Sequence, residues 1–337
     1  MSELTIILLL KNRKEFNNRF IDFFLENKSN YNLIISDGSR KKIQPDILKK
    51  IKNNKSIEYV KFIEDKSYNT FYKKIFKTLK LVKTKYVLFA ANDDFLIFDT
   101  IKLCLKFLKK NKSYIGAGGR MIGFEMSKKN KKDFKIKNTY CLYSNIKLDQ
   151  KNQVDRFNYF LKNFCDLPKN SIIEKKILLK NYELASNNFD NHIEMKDHFS
   201  ALYNVLSGRI KIFKKALIFH QDHLKSEGNM RWKAIKPFFT SKNFFDYLIK
   251  FDNLLSTKIK LKKFEIIKKY YKNILSPQLD ILTFPKEPSI IQIKNMLIKK
   301  VFRKKKLYKK EKNNKSKFMN LNKEIEFINQ FLLNNKN

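Results

Sequence analysis

An α/β fold, with a mostly parallel sheet flanked by helices and a basic helical C-terminal extension, is predicted by three features of the sequence. Apolar runs of strand length alternate with stretches of helical period from Leu4 to Phe124, the pattern of strands joined by crossover helices. The run Tyr86 to Ala90 has no polar alternation, which fits a strand covered on both faces. Polar clusters close three of the runs, Lys11-Asn12-Arg13, Ser36-Asp37-Gly38-Ser39 and Asn92-Asp93-Asp94, and in such sheets the ligand crevice lies beyond the carboxyl ends of the strands.

Taken in order, Leu4 to Leu10 reads as the first strand, and Phe16, Phe20, Phe23 and Phe24 recur at helical spacing after it. Tyr31 to Ile35 is a second strand that ends in loop-forming residues. Ile57 to Phe62 is a third, followed by a helix with Tyr68, Phe71, Ile75, Leu79 and Val82 on one face. After the fourth strand, Ile101, Cys104, Leu105 and Leu108 predict another amphipathic helix. "SYIGAGGRMIGF" then reads as a strand in which Gly116, Gly118 and Gly119 let the backbone turn tightly or approach a ligand. Arg120 beside them reads equally as a partner for a phosphate or as a surface residue. Arg156 to Phe164 predicts a helix, broken afterwards at Leu167-Pro168. "DHFSALYNVLSG" predicts a helix that buries Phe199, Leu202, Val205 and Leu206 and is capped by Gly208. "RIKIFKKALIFH" follows as a strand or hairpin ending at His220.

Beyond Trp232 the chain reads as helices. Ile290, Ile293, Leu297 and Val301 share a face, with Lys294, Lys299, Lys300 and Arg303 around them, and Phe318, Leu321, Ile325 and Ile328 repeat the pattern after "KKEKNNKSK". The expected division is 1–228 for the sheet domain, 229–310 for the helical extension and 311–337 for a Lys/Asn-rich linker with a terminal helix. The basic helix from Ile290 to Tyr308 has two readings, contact with an anionic membrane face or packing on the main domain with its lysines in water.

The formal net charge of +41 on 337 residues points to anionic partners. The positive residues are almost all lysine, with eight arginines among 73, and they are spread along the chain. That argues against nucleic acid, whose readers use the guanidinium fork. Cys104, Cys141 and Cys165 form no metal-binding spacing and read as reduced thiols in the cytoplasm. "LTIILLL" lacks a basic lead and is followed at once by Lys11-Asn12-Arg13, so neither a signal peptide nor a membrane span is expected.

Two adjacent acids at the end of a buried strand face a crevice rather than the core. Such a pair can cap the next helix, or it can hold a divalent cation against a diphosphate. In order, "TIILLLKNR", "LIISDGS", "YVLFAANDDFL" and "KDHFSALYNVLSGRIKIFKKALIFH" resemble the markers of a GT-A, family-2-like glycosyltransferase, from Leu4 to His223. The resemblance implies a Rossmann-like GT-A sheet, a nucleotide-sugar donor, a glycan or other hydroxyl acceptor, and manganese or magnesium as cofactor.

Carried over by position, the resemblance implies that Asn12, Arg13, Asp37, Ser39, Asn92 and Asp93 meet the donor, and that Asp94, Asp93 and His220 hold the metal. Asp197 would be the general base of an inverting transfer, with Glu194, one helical turn earlier, as its substitute. The chain departs from the pattern at Ser36 and Asn92, where the family has Asp, and at Lys196, where it has Glu. His192 and His198 flank the base and are candidates for the acceptor side, whereas His223 makes an HxxH with His220 only by chance. Two alternatives stay open: a sugar-nucleotide nucleotidyltransferase, against which the absence of Gly from "LLLKNRKEFNNRF" counts, and a non-catalytic basic module with a degenerate metal site.

Overall fold

The computed structural model describes residues 2–27, 30–41, 43, 45–126, 136–143, 145–190, 192–223, 244–262, 264–275 and 322–334. Strand β1 (Leu4–Leu10) is apolar throughout and almost wholly buried, which requires cover on both faces. Helix α1 (Lys14–Glu26) supplies part of that cover with Phe20, Ile21 and Phe24. Strand β2 (Asn32–Asp37), helix α2 (Pro45–Lys52), strand β3 (Ile57–Lys61), helix α3 (Tyr68–Leu81) and strand β4 (Tyr86–Ala91) follow in alternation. A reciprocal capping box starts α3, with Ser67 Oγ accepting from Thr70 N at 3.1 Å and Thr70 Oγ1 from Ser67 N at 3.0 Å; such a cap contributes about 1 kcal/mol.

These four strands lie in the order β3-β2-β1-β4 and are all parallel. Leu10 is in register with Asp37, and Leu9 with Ala91. One edge of the sheet therefore gathers the loops after β1, β2 and β4.

Beyond β4 the pairing becomes mixed. The chain turns through Asn92 and Asp93 into the short β5 (Asp94–Leu96), which joins the far edge of the sheet. Helix α4 (Phe98–Lys110), strand β6 (Tyr114–Met126) and strand β7 (Ile136–Cys141) come next. Helix α5 (Gln153–Lys162), strand β8 (Ile172–Glu174), helix α6 (Lys175–Asn188), helix α7 (Ile193–Ser207) and strand β9 (Arg209–Gln221) complete the sheet. Its path is β3-β2-β1-β4-β8-β6-β9-β5, with β7 paired to β6. Because β5 is antiparallel to β9, Asp94 lies opposite His220. Ala91 and Asp94, three positions apart in sequence, thus serve the middle of the sheet and its far edge.

The glycines of β6 serve strand packing rather than ligand approach. A Cβ on Gly118 would lie 2.2 Å from Ser171 Oγ, and one on Gly119 2.4 Å from the Lys215 carbonyl oxygen. Gly208 does follow α7, but with extended backbone (φ 165°) instead of a left-handed cap. It is needed because a Cβ there would approach Ile115 Cγ2 to 2.4 Å.

Helix α8 (Phe244–Ser256) and helix α9 (Glu265–Tyr270), which runs on into a π-type turn (Tyr271–Leu275), share the core of the sheet through Leu248, Phe251, Ile267 and Tyr270. Helix α10 (Asn322–Asn334) packs elsewhere, its Ile328, Phe331 and Leu332 closing a second apolar cluster with Phe23, Phe95 and Phe124. Trp232, the basic stretch Ile290 to Tyr308, Phe318 and Leu321 lie outside the described residues. Among the described residues, no helix is long and apolar enough to cross a membrane.

Candidate active site

The loop after β1 has two consecutive residues with left-handed backbone, Asn12 (φ 58°) and Arg13 (φ 60°). Asn tolerates this well and Arg less so. The conformation is held on both sides: Asn12 N donates to Ser39 Oγ at 2.6 Å, and Arg13 Nη1 donates to Asp93 Oδ2 at 2.8 Å. The three strand-end loops are thereby joined.

Asp37 is fully buried and organises its own loop. Its Oδ1 accepts from Ser39 N at 2.8 Å, its Oδ2 accepts from Tyr59 OH at 2.7 Å, and Lys61 Nζ lies 3.8 Å away. Burial, reinforced by the bond to Asp37, raises the Tyr59 pKa, so the phenol remains a donor. Lys61 also donates to the Ser39 carbonyl. Ser36, one residue earlier in β2, pairs its hydroxyl with Thr78 Oγ1 at 2.7 Å, buried against α3. The serine that departs from the family pattern is thus spent on docking a helix. Behind this loop Lys74 Nζ meets Asp65 Oδ2 at 2.5 Å and the Leu10 carbonyl at 3.0 Å, a buried ion pair that fixes α3 to the end of β1.

Asn92 donates its amide to Asn17 Oδ1 at 2.6 Å, and Asn17 Nδ2 donates to the Asn12 carbonyl at 2.9 Å. That polar bridge ties the β4 turn to α1. Asp93 and Asp94 are only 4% and 6% exposed, and water does not solvate them freely. Asp94 Oδ1 lies 2.7 Å from His220 Nδ1, and Asp93 Oδ2 lies 3.0 Å from His223 Nε2. Ligand atoms of Asp93, Asp94 and His220 all fall within 4.8 Å of one another, so two carboxylate oxygens and an imidazole nitrogen converge as a donor set suited to a divalent ion.

The electrostatics follow from burial beside many charges. Burial by itself would raise Asp93, but the His223 hydrogen bond and the charges of His220 and Arg13 outweigh it and hold its pKa below the usual carboxylate value. Burial would lower His220, yet the hydrogen bond to Asp94 and the charges of Asp94, Asp93 and Asp222 raise it to about 9. Arg19 lies beneath the cluster between the rings of Phe16 and Phe95, 4.8 Å from each centroid, and donates to Gln221 Oε1 at 2.6 Å. Burial lowers its pKa to about 10 against the pull of Asp93 and Asp94, so it still carries its charge at neutral pH.

On the other side of α3, Asp197 is 8% exposed. Tyr72 OH donates to its Oδ1, and Lys169 Nζ lies 3.2 Å from its Oδ2. Helix α3 thus touches both the end of β1, through Lys74, and Asp197, through Tyr72. Neighbouring Lys196 is fully buried, donates to the Ala185 carbonyl at 2.6 Å and stands 5.3 Å from the Tyr72 ring centroid. Glu194 is half-buried one turn earlier, and its charge adds to the burial that pushes the Tyr270 phenol well above its ordinary pKa. His198 contacts Tyr270 OH at 2.5 Å and His192 packs on Tyr247, so both face the C-terminal helices.

The structure therefore joins Asn12, Arg13, Asp37, Ser39, Asn92, Asp93, Asp94 and His220 in one network, while Asp197 is tied to the far side of α3 through Tyr72. Sequence reasoning missed Arg19, Tyr72 and Lys169, and it set His223 aside as a chance neighbour of His220, whereas the structure places it against Asp93. The helical spacing Phe16, Arg19, Phe20, Phe23 already places Arg19 on the buried stripe. The contact of His223 with Asp93 depends on the chain leaving β9 at Gln221, and no periodicity encodes that.

Glycosyl transferase family 2 matches residues 5–180 of the chain. Among solved structures, the fold is similar to that of S. aureus TarS 1-349, with a TM-score of 0.56 and 13% identity over 85% of this chain and 76% of that one. The same TarS fragment in complex with UDP-GlcNAc gives a TM-score of 0.55 and 12% identity over 84% and 76%. The complex with UDP gives 0.53 and 13% over the same shares. None of the curated proteins matches the chain in sequence.

Proposed function

The chain belongs to glycosyl transferase family 2, and on that premise we propose that it transfers a sugar from a nucleotide-sugar donor to a hydroxyl acceptor, with inversion and with the help of manganese or magnesium. The observation that carries the reading is the convergence of Asp93, Asp94 and His220 at the strand ends, in a chain whose fold resembles structures holding UDP and UDP-GlcNAc. Asp93, Asp94 and His220 would hold the cation, which would supply positive charge to the departing diphosphate.

The remaining steps belong to this chain's own side chains. Asn12, Arg13, Asp37 and Ser39 shape the donor cleft, and Arg13 keeps Asp93 aimed along it. Asp197 accepts the acceptor's hydroxyl proton as that oxygen bonds to the anomeric carbon and the bond from that carbon to the diphosphate breaks. Tyr72 and Lys169 orient the Asp197 carboxylate, leaving Glu194 as the substitute base. The free thiols Cys104, Cys141 and Cys165 support a cytoplasmic setting, and the charge of +41 supports work near an anionic membrane face. A thermal-shift panel of UDP- and GDP-sugars with and without manganese tests this reading. Stabilisation by at least one sugar nucleotide that grows with manganese is expected, and no stabilisation by any of them would overturn it.

A further inference from the structure

Arg120 is 9% exposed and sits where the β6–β9 register shifts on either side of it, a bulge of the kind that re-aims a side chain. Among the described residues it meets no carboxylate; its hydrogen bond is from Nη2 to Asn145 Oδ1 at 3.4 Å. A buried guanidinium normally has an anionic partner. This one lines a cavity of about 700 Å³ with Tyr143, Lys147, Lys211, Phe213 and Lys214. The acid in the wall, Asp149, is already engaged by Lys211 at 3.0 Å, while Lys147 and Lys214 stand exposed at the rim.

A guanidinium at the base, apolar and aromatic walls and lysines at the mouth fit an oxyanion attached to a small organic body. The volume exceeds what a bare phosphate needs and falls in the range of small-ligand sites, and the planar fork of Arg suits phosphate and carboxylate alike. The cavity also connects to the proposed base. Tyr143 OH donates to Asp166 Oδ2 at 3.0 Å, Asp166 pairs with Lys169 at 2.9 Å, and Lys169 reaches Asp197 at 3.2 Å. The donor network lies apart from it, around Asp37 and Asp93.

We propose that this cavity is an oxyanion subsite that holds a phosphate or carboxylate group of the acceptor. Its assignment to the acceptor rests on the transferase reading; its affinity for anions does not. The acceptor is then an acidic molecule rather than a neutral sugar, and Arg120 sets that preference.

The test is calorimetric titration of the full chain, without donor, with glycerol 3-phosphate, glucuronate and inorganic phosphate. One-to-one binding of at least one of the two organic anions, tighter than inorganic phosphate, is expected. Arg120→Gln should weaken it about tenfold or more, the loss of a charge-assisted hydrogen-bonded pair. Because Arg120 is buried, the surface double variant Lys147→Glu/Lys214→Glu serves as the second probe and should also weaken binding. Equal affinity in wild type and both variants, binding of several anions per chain, or no binding would overturn the subsite. Tighter binding of inorganic phosphate would show a free-anion site and overturn the acceptor assignment. Sugar-nucleotide binding in the same samples separates the two ideas: if it persists while the organic anions fail, the subsite falls and the transferase stands, and the reverse result keeps the anion site and removes the transferase.

Discussion

His223 Nε2 lies 3.0 Å from Asp93 Oδ2, the same oxygen that Arg13 Nη1 meets at 2.8 Å. One carboxylate oxygen thus receives a donor from the loop after β1 and another from the end of β9, while the Phe16 ring stacks on the imidazole at 5.0 Å. The arrangement fixes the direction of Asp93 and keeps it ionised. Removing the partner that orients a metal-binding carboxylate commonly costs about 10- to 100-fold in metal affinity. His223→Phe, which retains the stacking, is therefore expected to weaken manganese binding by about tenfold and leave the fold intact. Titration calorimetry with manganese, beside a thermal melt, checks it; unchanged affinity would show that His223 only packs.

Asp94 is expected to matter more, since it is both buried and opposed to His220. Asp94→Asn keeps the shape, removes the negative charge and should lower metal-dependent release of nucleoside diphosphate by at least about 100-fold, the scale of losing key electrostatic stabilisation. Treatment with a chelator should have the same effect on the wild type, reversed by adding back manganese. A turnover assay in which Asp94→Asn matches the wild type would remove the carboxylate from the chemistry.

For the proposed base, two variants separate chemistry from positioning. Asp197→Asn should retain donor binding and lower the transfer rate by about 10² to 10⁴, the usual range for a general base. Tyr72→Phe leaves the carboxylate in place without its phenolic donor and should lower kcat about tenfold with little change in donor KM, as expected for losing one hydrogen bond to a charged group. If donor binding weakens along with the rate in either variant, the residue supports the fold rather than the reaction.

The parallel half of the sheet was legible because β1, β2 and β4 are apolar without alternation, and the strand-end clusters marked the edge that carries the candidate site. In the mixed half β6 and β9 were legible as strands, but their pairing and the place of β5 were not. Nothing between Asn92 and Asp94 signals that the chain crosses to the far edge of the sheet, because β5 is three residues long and its pairing with β9 is a contact between residues 126 positions apart. The same long range hid the contact of His223 with Asp93, and Lys169 was hidden in the segment after the Leu167-Pro168 break. Ser36 and Lys196 looked like lost functions. In the structure Ser36 docks α3, and Lys196 takes a place beside Tyr72 that periodicity could not assign.

Helix α10 has a measurable task. Phe331 packs edge-on to Phe23 at 5.2 Å and Phe95 at 6.0 Å, and Asn329 Oδ1 accepts from Ile136 N at 3.0 Å. Phe95 immediately follows Asp94, so loosening this cluster reaches the turn that carries the candidate metal ligands. Truncating a buried Phe costs about 3–5 kcal/mol. Phe331→Ala should lower the melting temperature and also weaken manganese binding, whereas exposed Phe327→Ala should do less on both counts. A normal melting temperature for Phe331→Ala would show that the helix contributes little to the second core.

Lys196 gives the clearest pH signature. It is completely buried, and burial lowers its pKa to about 8 from an ordinary value near 10.5, against a smaller opposing contribution from Asp190. Between those two values the unfolded chain binds more protons than the folded one, so stability must rise with pH there. Below about pH 8 both states are protonated and the full cost of burying the ammonium is present; above about pH 10.5 both are neutral and that cost is gone. Lys196→Met removes the charge while keeping most of the apolar volume, although it leaves the Ala185 carbonyl without its 2.6 Å donor. The stability of the wild type relative to Lys196→Met should therefore be flat from pH 6 to 7.5 and then climb by about 1–3 kcal/mol by pH 10. Urea melts of both proteins across this range measure the difference, and a difference that stays constant with pH would mean that Lys196 keeps its proton equally in the folded and unfolded chain.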